Sequence, residues 1–346
     1  MSKVKVTAED SIDFLVASPV NATGMEAQSN PVGSGEPSHD AYTLQHGLNP
    51  SNDARWLEVN AEVGLTSGVL VLDDKVLDKP YARKMDFVHY MWSGKHYAVV
   101  KGIDLLTLLW TDGERHLPCD YRIYDKPNDG KTKNNHFWDL IDTPKVRGFQ
   151  PEYLLFYGWH SSLVNLRKID TVGWQWLTRR KHNRRVNPDR ARNRPVGDYH
   201  ITATSTVVHL KNYGMVKVFR IISNDGTAEY WATNDPAMNE LGRLKLAEAS
   251  WEIEDYHRGL KHVTNMENCQ CRKGHAQLSH IGLALRAFQV FERYFFRTGY
   301  YWTATKKKSY RKPSGLSGQT LGSGITRQLC KSCRHKKDIE HYLRRA

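Results

Sequence analysis

Apolar residues in this chain fall into short runs separated by polar, turn-rich stretches. Val69-Leu70-Val71-Leu72, preceded by Gly64 and Gly68, is a run of consecutive aliphatics that predicts a strand buried on both faces. Leu105-Leu106-Thr107-Leu108-Leu109-Trp110 predicts a second strand, and Asp112-Gly113 a hairpin turn into a third over Leu117 to Tyr124. Lys133 to Arg147 reads as a helix stopped by Gly148, Tyr153-Leu154-Leu155-Phe156 as a fourth strand, Ser161 to Val172 as a helix stopped by Gly173, and Trp174 to Thr178 as a fifth strand. Further on, Val207 to Leu210, Val216 to Ile221 and Glu229 to Thr233 have the turn spacing of a β meander, expected as an insertion and not as a sixth core strand. Helical periodicity returns from Asn239 through Lys261 and again from about Gln277 to Phe296. Ahead of all this, amphipathic segments around Ile12, Phe14, Leu15 and Val16 and from Asp53 to Val63 flank a polar loop from Asn21 to His39.

The order β-β-β-α-β-α-β is that of a ribonuclease H-like core. The expected fold is therefore α/β: a ribonuclease H-like mixed sheet flanked by helices, with an inserted β meander and a helical N-terminal region. The expected division is 1–67 helical N-terminal region, 68–178 first part of the core, 179–236 basic loop and β insertion, 237–302 core helices, and 303–346 a basic tail.

Composition adds a partner to this outline. The 346 residues carry a formal net charge of +13, and that charge is segregated. Residues 1–74 hold three Lys/Arg against eleven Asp/Glu, residues 177–194 hold eight against one, and residues 303–346 hold twelve against two. Cationic blocks among aromatics favour a polyanion, of which nucleic acid is the commonest. No stretch approaches a membrane span, and neither a secretory signal nor a transit peptide is recognisable, so a cytoplasmic protein is expected, nucleoid-associated if bacterial. Five cysteines fit a reducing compartment; Cys330-Lys-Ser-Cys333 has half of a zinc-site spacing, but Cys269-Gln-Cys271 supplies no matching half.

The candidate chemistry begins where the first strand ends, at the adjacent carboxylates Asp73 and Asp74. Taken alone, such a pair reads as a turn or a helix cap. In a ribonuclease H-like core, however, the first and fourth strands lie side by side. Acids at their ends, with a third from a later helix, can hold two divalent ions that drive phosphodiester displacement. The later helix offers Glu254, and spacings of four and seven put Arg258 and Lys261 on its face, where they could hold DNA phosphates.

Four motifs carry a resemblance: Leu72 through Tyr81, Trp92-Ser93-Gly94-Lys95-His96, Tyr124-Asp125-Lys126-Pro127 with Lys131-Thr132-Lys133-Asn134, and Trp251 through Lys261. Over about residues 10–302 the chain resembles the insertion-sequence DDE transposases, in the group with a β-strand insertion between the second Asp and the Glu. The resemblance implies cut-and-paste DNA transposition by an endonuclease with a two-ion Mg2+ or Mn2+ site. It implies Asp74 as first metal ligand with Asp73 beside it, Glu254 as the last, and Lys261 as a phosphate contact. Its partners would be double-stranded DNA, both element terminal repeats and target, handled by a homodimer assembled on that DNA. Two positions depart from the pattern on the Glu helix, where Ala247 and Ser250 replace the Tyr and Arg of many relatives.

The larger departure is on the fourth strand. Relatives read Phe-Asp-Ser-Trp-Tyr-Ser-Ser where this chain reads Phe156-Tyr157-Gly158-Trp159-His160-Ser161-Ser162, so Tyr157 occupies the second catalytic Asp position. A phenol, with an ordinary pKa of about 10, offers no anionic oxygen at neutral pH. The expectation is a transposase with impaired catalysis, or a catalytically inactive DNA-binding protein of transposase descent. His160 and Asp170 are not expected at the strand end to substitute. The block Arg179, Arg180, Lys181, Arg184 and Arg185 is expected as a loop contacting DNA backbone, while Trp174, Trp176 and Trp231 read as core rather than base-stacking residues. From Thr303 the tail leaves the helical pattern of relatives, as a divergent DNA-binding end or a shifted frame would.

Overall fold

The computed structural model describes residues 6–17, 52–188, 190, 192–222 and 226–301. The polar loop at 21–39, the tail from Thr303, Cys330 and Cys333 lie outside them. In chain order the main elements are α1 (Ala8–Ala17), α2 (Asn52–Val59), β1 (Val69–Asp78), β2 (His89–Ser93), β3 (Ala98–Thr111), β4 (His116–Tyr124), α3 (Lys133–Val146), β5 (Tyr153–Phe156), α4 (Leu163–Thr171) and β6 (Trp176–Arg180). There follow β7 (Arg185–Val186), β8 (Arg194–Pro195), β9 (Thr206–Leu210), β10 (Gly214–Ile222), β11 (Ala228–Thr233), α5 (Glu240–Val263) and α6 (Gly274–Thr298). Two compact units divide the chain, one of 56–76 and 103–255, the other of residues up to 55, 77–102 and 256 onward.

The first unit holds the ribonuclease H-like sheet. Its neighbours run β4-β3-β1-β5-β6. β1 pairs in parallel with β5, setting Leu72 opposite Phe156, and β5 in parallel with β6, setting Phe156 opposite Thr178. Parallel strands inside a sheet are covered on both faces, which is why Val69 to Leu72 is an unbroken aliphatic run, with Leu70, Val71 and Leu72 fully buried. β3 and β4 form the antiparallel hairpin, with an irregularity between Leu108 and Leu109 where Leu109 faces Pro118 and Leu108 faces Asp120. Pro118 has no N–H for the ladder, so a bulge is where it fits. Phe137, Leu140 and Ile141 of α3 and Leu166 and Ile169 of α4 are buried in the same core, each contributing about 1.5–3 kcal/mol by leaving water.

The meander differs from the expectation. β11 pairs antiparallel with β6, Ala232 opposite Thr178, and β10 and β9 follow outward, so the meander continues the core sheet. The physical reason is the edge: without β11, β6 would expose a row of unpaired N–H and C=O groups. β6 also runs on to Arg180, which makes Arg179 and Arg180 strand residues and not loop.

In the second unit, β2 folds back on the start of β3, with His89 opposite Gly102 and Ser93 opposite Ala98. The sequence reading missed this hairpin because its turn, Gly94 to Tyr97, lies in a mixed polar and aromatic stretch. α1 packs against α6. Tyr256 meets Phe288 edge-on with ring centroids 5.1 Å apart. α6 opens on Gly274, where a Cβ would come within 2.7 Å of the Phe87 ring, and the Gly274 N–H donates to Asp86.

Candidate functional site

β1 delivers Asp73 and Asp74 from the centre of the sheet, and successive side chains of a strand leave on opposite faces. The two acids accordingly have different surroundings.

Asp74 is held by two side-chain nitrogens. Its Oδ2 accepts from Lys133 Nζ at 2.6 Å, and its Oδ1 lies 3.0 Å from His160 Nε2. The same ammonium is 2.7 Å from Oδ2 of Asp104 on β3, so Lys133 bridges two carboxylates. Local sequence fixes that lysine: Thr132 caps α3, its side chain accepting from the Asn135 N–H while Asn135 Oδ1 accepts from the Thr132 N–H. This reciprocal cap sets Lys133 as the first helical residue. His160 is 1% exposed and stacks on Phe137 at 5.0 Å, and its backbone oxygen accepts from Asn165 Nδ2. Burial works to raise the Asp74 carboxyl, but Lys133 and His160 outweigh it and hold the group well below the usual carboxylate range. Burial and the Asp74 charge push Asp104 the other way, up to about 7.

Asp73 faces Tyr157 and Glu254. Burial, then the charges of Asp74 and Glu254, raises its carboxyl well above the ordinary value. Glu254 Oε2 accepts from Lys75 Nζ at 2.7 Å. The Tyr157 hydroxyl donates to the backbone oxygen of Ser250 at 3.0 Å, one helical turn before Glu254. Burial, with Asp73 and Glu254 adding to it, raises the phenol above its ordinary value, so it stays protonated. Beside it a Cβ on Gly158 would meet the Arg179 carbonyl oxygen at 2.6 Å, so the residue after Tyr157 has no room for a side chain.

Two divalent ions require carboxylate oxygens that are free to bind them. Asp74 has both oxygens engaged by nitrogen donors, Glu254 binds an ammonium, and the phenol's proton is committed to a carbonyl. Among the described residues no group of three His, Cys, Asp or Glu side chains is disposed to hold a metal. As arranged, the acids make ion pairs rather than a metal shell, and they do not fit a two-ion site.

The basic residues are dispersed. Arg179 pairs with Glu229 at 2.5 Å, Arg180 is buried, Arg184 Nη2 reaches the Gly158 carbonyl oxygen at 3.5 Å, and Arg185 is exposed. Lys181 Nζ lies 5.5 Å and Lys133 Nζ 5.9 Å from the ring centroid of Trp159, which is 57% exposed. In the second unit, Arg258 is exposed and Lys261 donates to Glu267 Oε1 at 2.7 Å. Trp174, Trp176 and Trp231 are buried. The sequence reading did not single out Lys133 for the acids, nor Asp104, nor the reach of His160 to Asp74. The available signals were the Thr132-Lys133 helix start and a lone acid, Asp104, directly ahead of the apolar run Leu105 to Trp110.

No family model and no curated protein matches the chain. Among solved structures, a cryo-EM structure of the piggyBac transposase synaptic complex with hairpin DNA aligns over 99% of this chain and 77% of that one, with a TM-score of 0.47 and 10% identity. At that level the likeness adds nothing to the topology described above. No described helix is long and apolar enough to cross a membrane.

Proposed function

We propose that this protein is a double-stranded-DNA-binding protein built on a DDE transposase frame, with its acids bonded to its own lysines and histidine instead of to divalent ions. The observation that carries the reading is the Tyr157 hydroxyl donating to the Ser250 carbonyl oxygen at the second Asp position, a donor where a two-ion site needs an acceptor. DNA as partner rests on the ordered motifs of the sequence and on the exposed Trp159 flanked by Lys133 and Lys181. In this reading Lys181, Arg185 and Arg258 contact backbone phosphates, Trp159 lies against the sugar-phosphate edge or an unpaired base, and element ends are bound by two copies of the chain together.

A second reading, an active transposase, is favoured by one observation: Asp73 feels the charges of both Asp74 and Glu254, so three acids remain within electrostatic reach of one another. The two readings separate in one experiment. The purified chain is incubated with labelled duplexes spanning the DNA on either side of its coding sequence, with Mg2+ or Mn2+. Retention of the duplex without nicking is the result expected here. Nicking that disappears in Asp74→Ala would establish the active enzyme, and absence of any DNA binding would reject both.

A further inference from the structure

Arg180 raises a question that the carboxylate cluster does not answer. It is 8% exposed, and its Nε and Nη1 are buried with no hydrogen-bond partner. Burying those two nitrogens without acceptors is expensive, since their N–H groups have left water and gained nothing. Burial, aided by the neighbouring Arg184, lowers its pKa to about 10, so it still carries its charge at neutral pH.

Arg180 lines a cavity of about 190 Å³ shared with Leu163, Leu166, Arg185, Asn193, Leu210 and Lys211. Three of these seven residues are cationic and none is acidic. Arg185 and Lys211 are exposed at the rim, Asn193 adds an amide, and the leucines form an apolar wall. The first turn of α4 supplies Leu163 and Leu166. The cavity is smaller than the roughly 300–1,000 Å³ of a drug-sized ligand site, and suits a small, strongly hydrogen-bonding anion. A planar fork of N–H donors matches the oxygens of a phosphate group, which can be taken up in two parallel bonds.

We propose that this cavity is a phosphate-binding pocket, in which Arg180 holds the anion from below while Arg185 and Lys211 close on it from the rim. The anion is a phosphate group, either one phosphodiester of a nucleic acid backbone or a free phosphate. The pocket shares no residue with the Asp73, Asp74 and Glu254 cluster. The backbone source rests on the DNA-binding reading above; the pocket itself does not.

The test uses the full-length chain with two variants, Arg180→Gln and the rim variant Lys211→Gln. Inorganic phosphate is titrated calorimetrically, and a random-sequence duplex is titrated by fluorescence anisotropy across a series of salt concentrations. Circular dichroism checks that both variants are folded; the exposed Lys211 keeps the test available if Arg180→Gln is not. Saturable phosphate binding that weakens about tenfold or more in each variant supports the pocket. If the salt slope of duplex binding also falls by about one unit, the occupant is a backbone phosphate. If phosphate binding weakens while the slope is unchanged, the occupant is free phosphate and the pocket stands. Equal phosphate binding, or none, in the parent and both variants, with an unchanged slope, overturns the proposal. Loss of all duplex binding by the parent rejects the DNA-binding reading, while the phosphate titration still decides the pocket.

Discussion

Lys133 Nζ donates to Asp74 Oδ2 at 2.6 Å, placing a side-chain ammonium on the carboxylate that the sequence marks as the first metal ligand. The same ammonium also meets Asp104, 2% exposed, so removing it leaves Asp104 without that partner and Asp74 with His160 alone. Lys133→Met is therefore expected to cost about 3 kcal/mol or more, the usual scale for breaking a buried pair from one side. Adding Asp104→Asn removes the buried acid left without its lysine and should recover part of the loss. Urea denaturation of the two variants checks both statements.

Two buried groups of the core unit titrate in overlapping windows with opposite signs. Burial and Asp74 raise Asp104 to about 7, against an unfolded value of about 3.9, so between about pH 4 and 7 the native state keeps a proton that the unfolded chain releases. Its contribution to stability falls as pH rises through that window. Burial depresses His116 to about 4, against about 6.5 unfolded, so there the unfolded chain binds the extra proton and stability rises with pH between about 4 and 6.5. Asp104→Asn should leave the rising limb, and His116→Gln the falling one. Denaturation midpoints at half-unit pH intervals would show this, and identical profiles in both variants would refute the assignment.

Tyr157 contributes through one hydroxyl bond and through its burial. Tyr157→Phe keeps the ring and frees the Ser250 carbonyl oxygen, a loss of about 1 kcal/mol. Tyr157→Asp places a carboxylate beside Asp73 and Glu254, whose charges already act on the phenol. Without divalent ions that variant should melt below Tyr157→Phe, and only the Asp variant should regain stability when Mg2+ is added. Differential scanning calorimetry with and without Mg2+ provides the comparison.

The basic block should not act as a unit. Lys181 is exposed over Trp159, whereas Arg179 is already answered by Glu229. Lys181→Gln should reduce the logarithmic salt slope of duplex binding by about 0.9, the share of one phosphate contact, and Arg179→Gln by clearly less. Equal reductions from the two would show that the Glu229 pair opens on DNA.

The core was legible because its strands are buried on both faces and so lack polar interruptions, as at Val69 to Leu72 and Tyr153 to Phe156, and because Gly148 and Gly173 mark the helix ends. The β2 hairpin was not, since Tyr90 and Trp92 are exposed and their strand has no apolar face to reveal it. The docking of β11 on β6 is a long-range pairing that no local period encodes. At the candidate site, Asp73, Asp74 and Glu254 could be named from strand ends and helix spacing, and Tyr157 through the family resemblance. Their division into two environments could not, because it depends on Lys133 arriving from α3 and on His160, stacked against Phe137, turning towards Asp74.

Whether side-chain nitrogens take the place of divalent ions at these acids is read most directly by titrating Mn2+ into the protein and following bound ion by electron paramagnetic resonance. No site tighter than the millimolar range is expected in the chain as it stands, and one is expected to appear in Tyr157→Asp. Tight Mn2+ binding by the unaltered chain, abolished by Asp74→Asn, would contradict this.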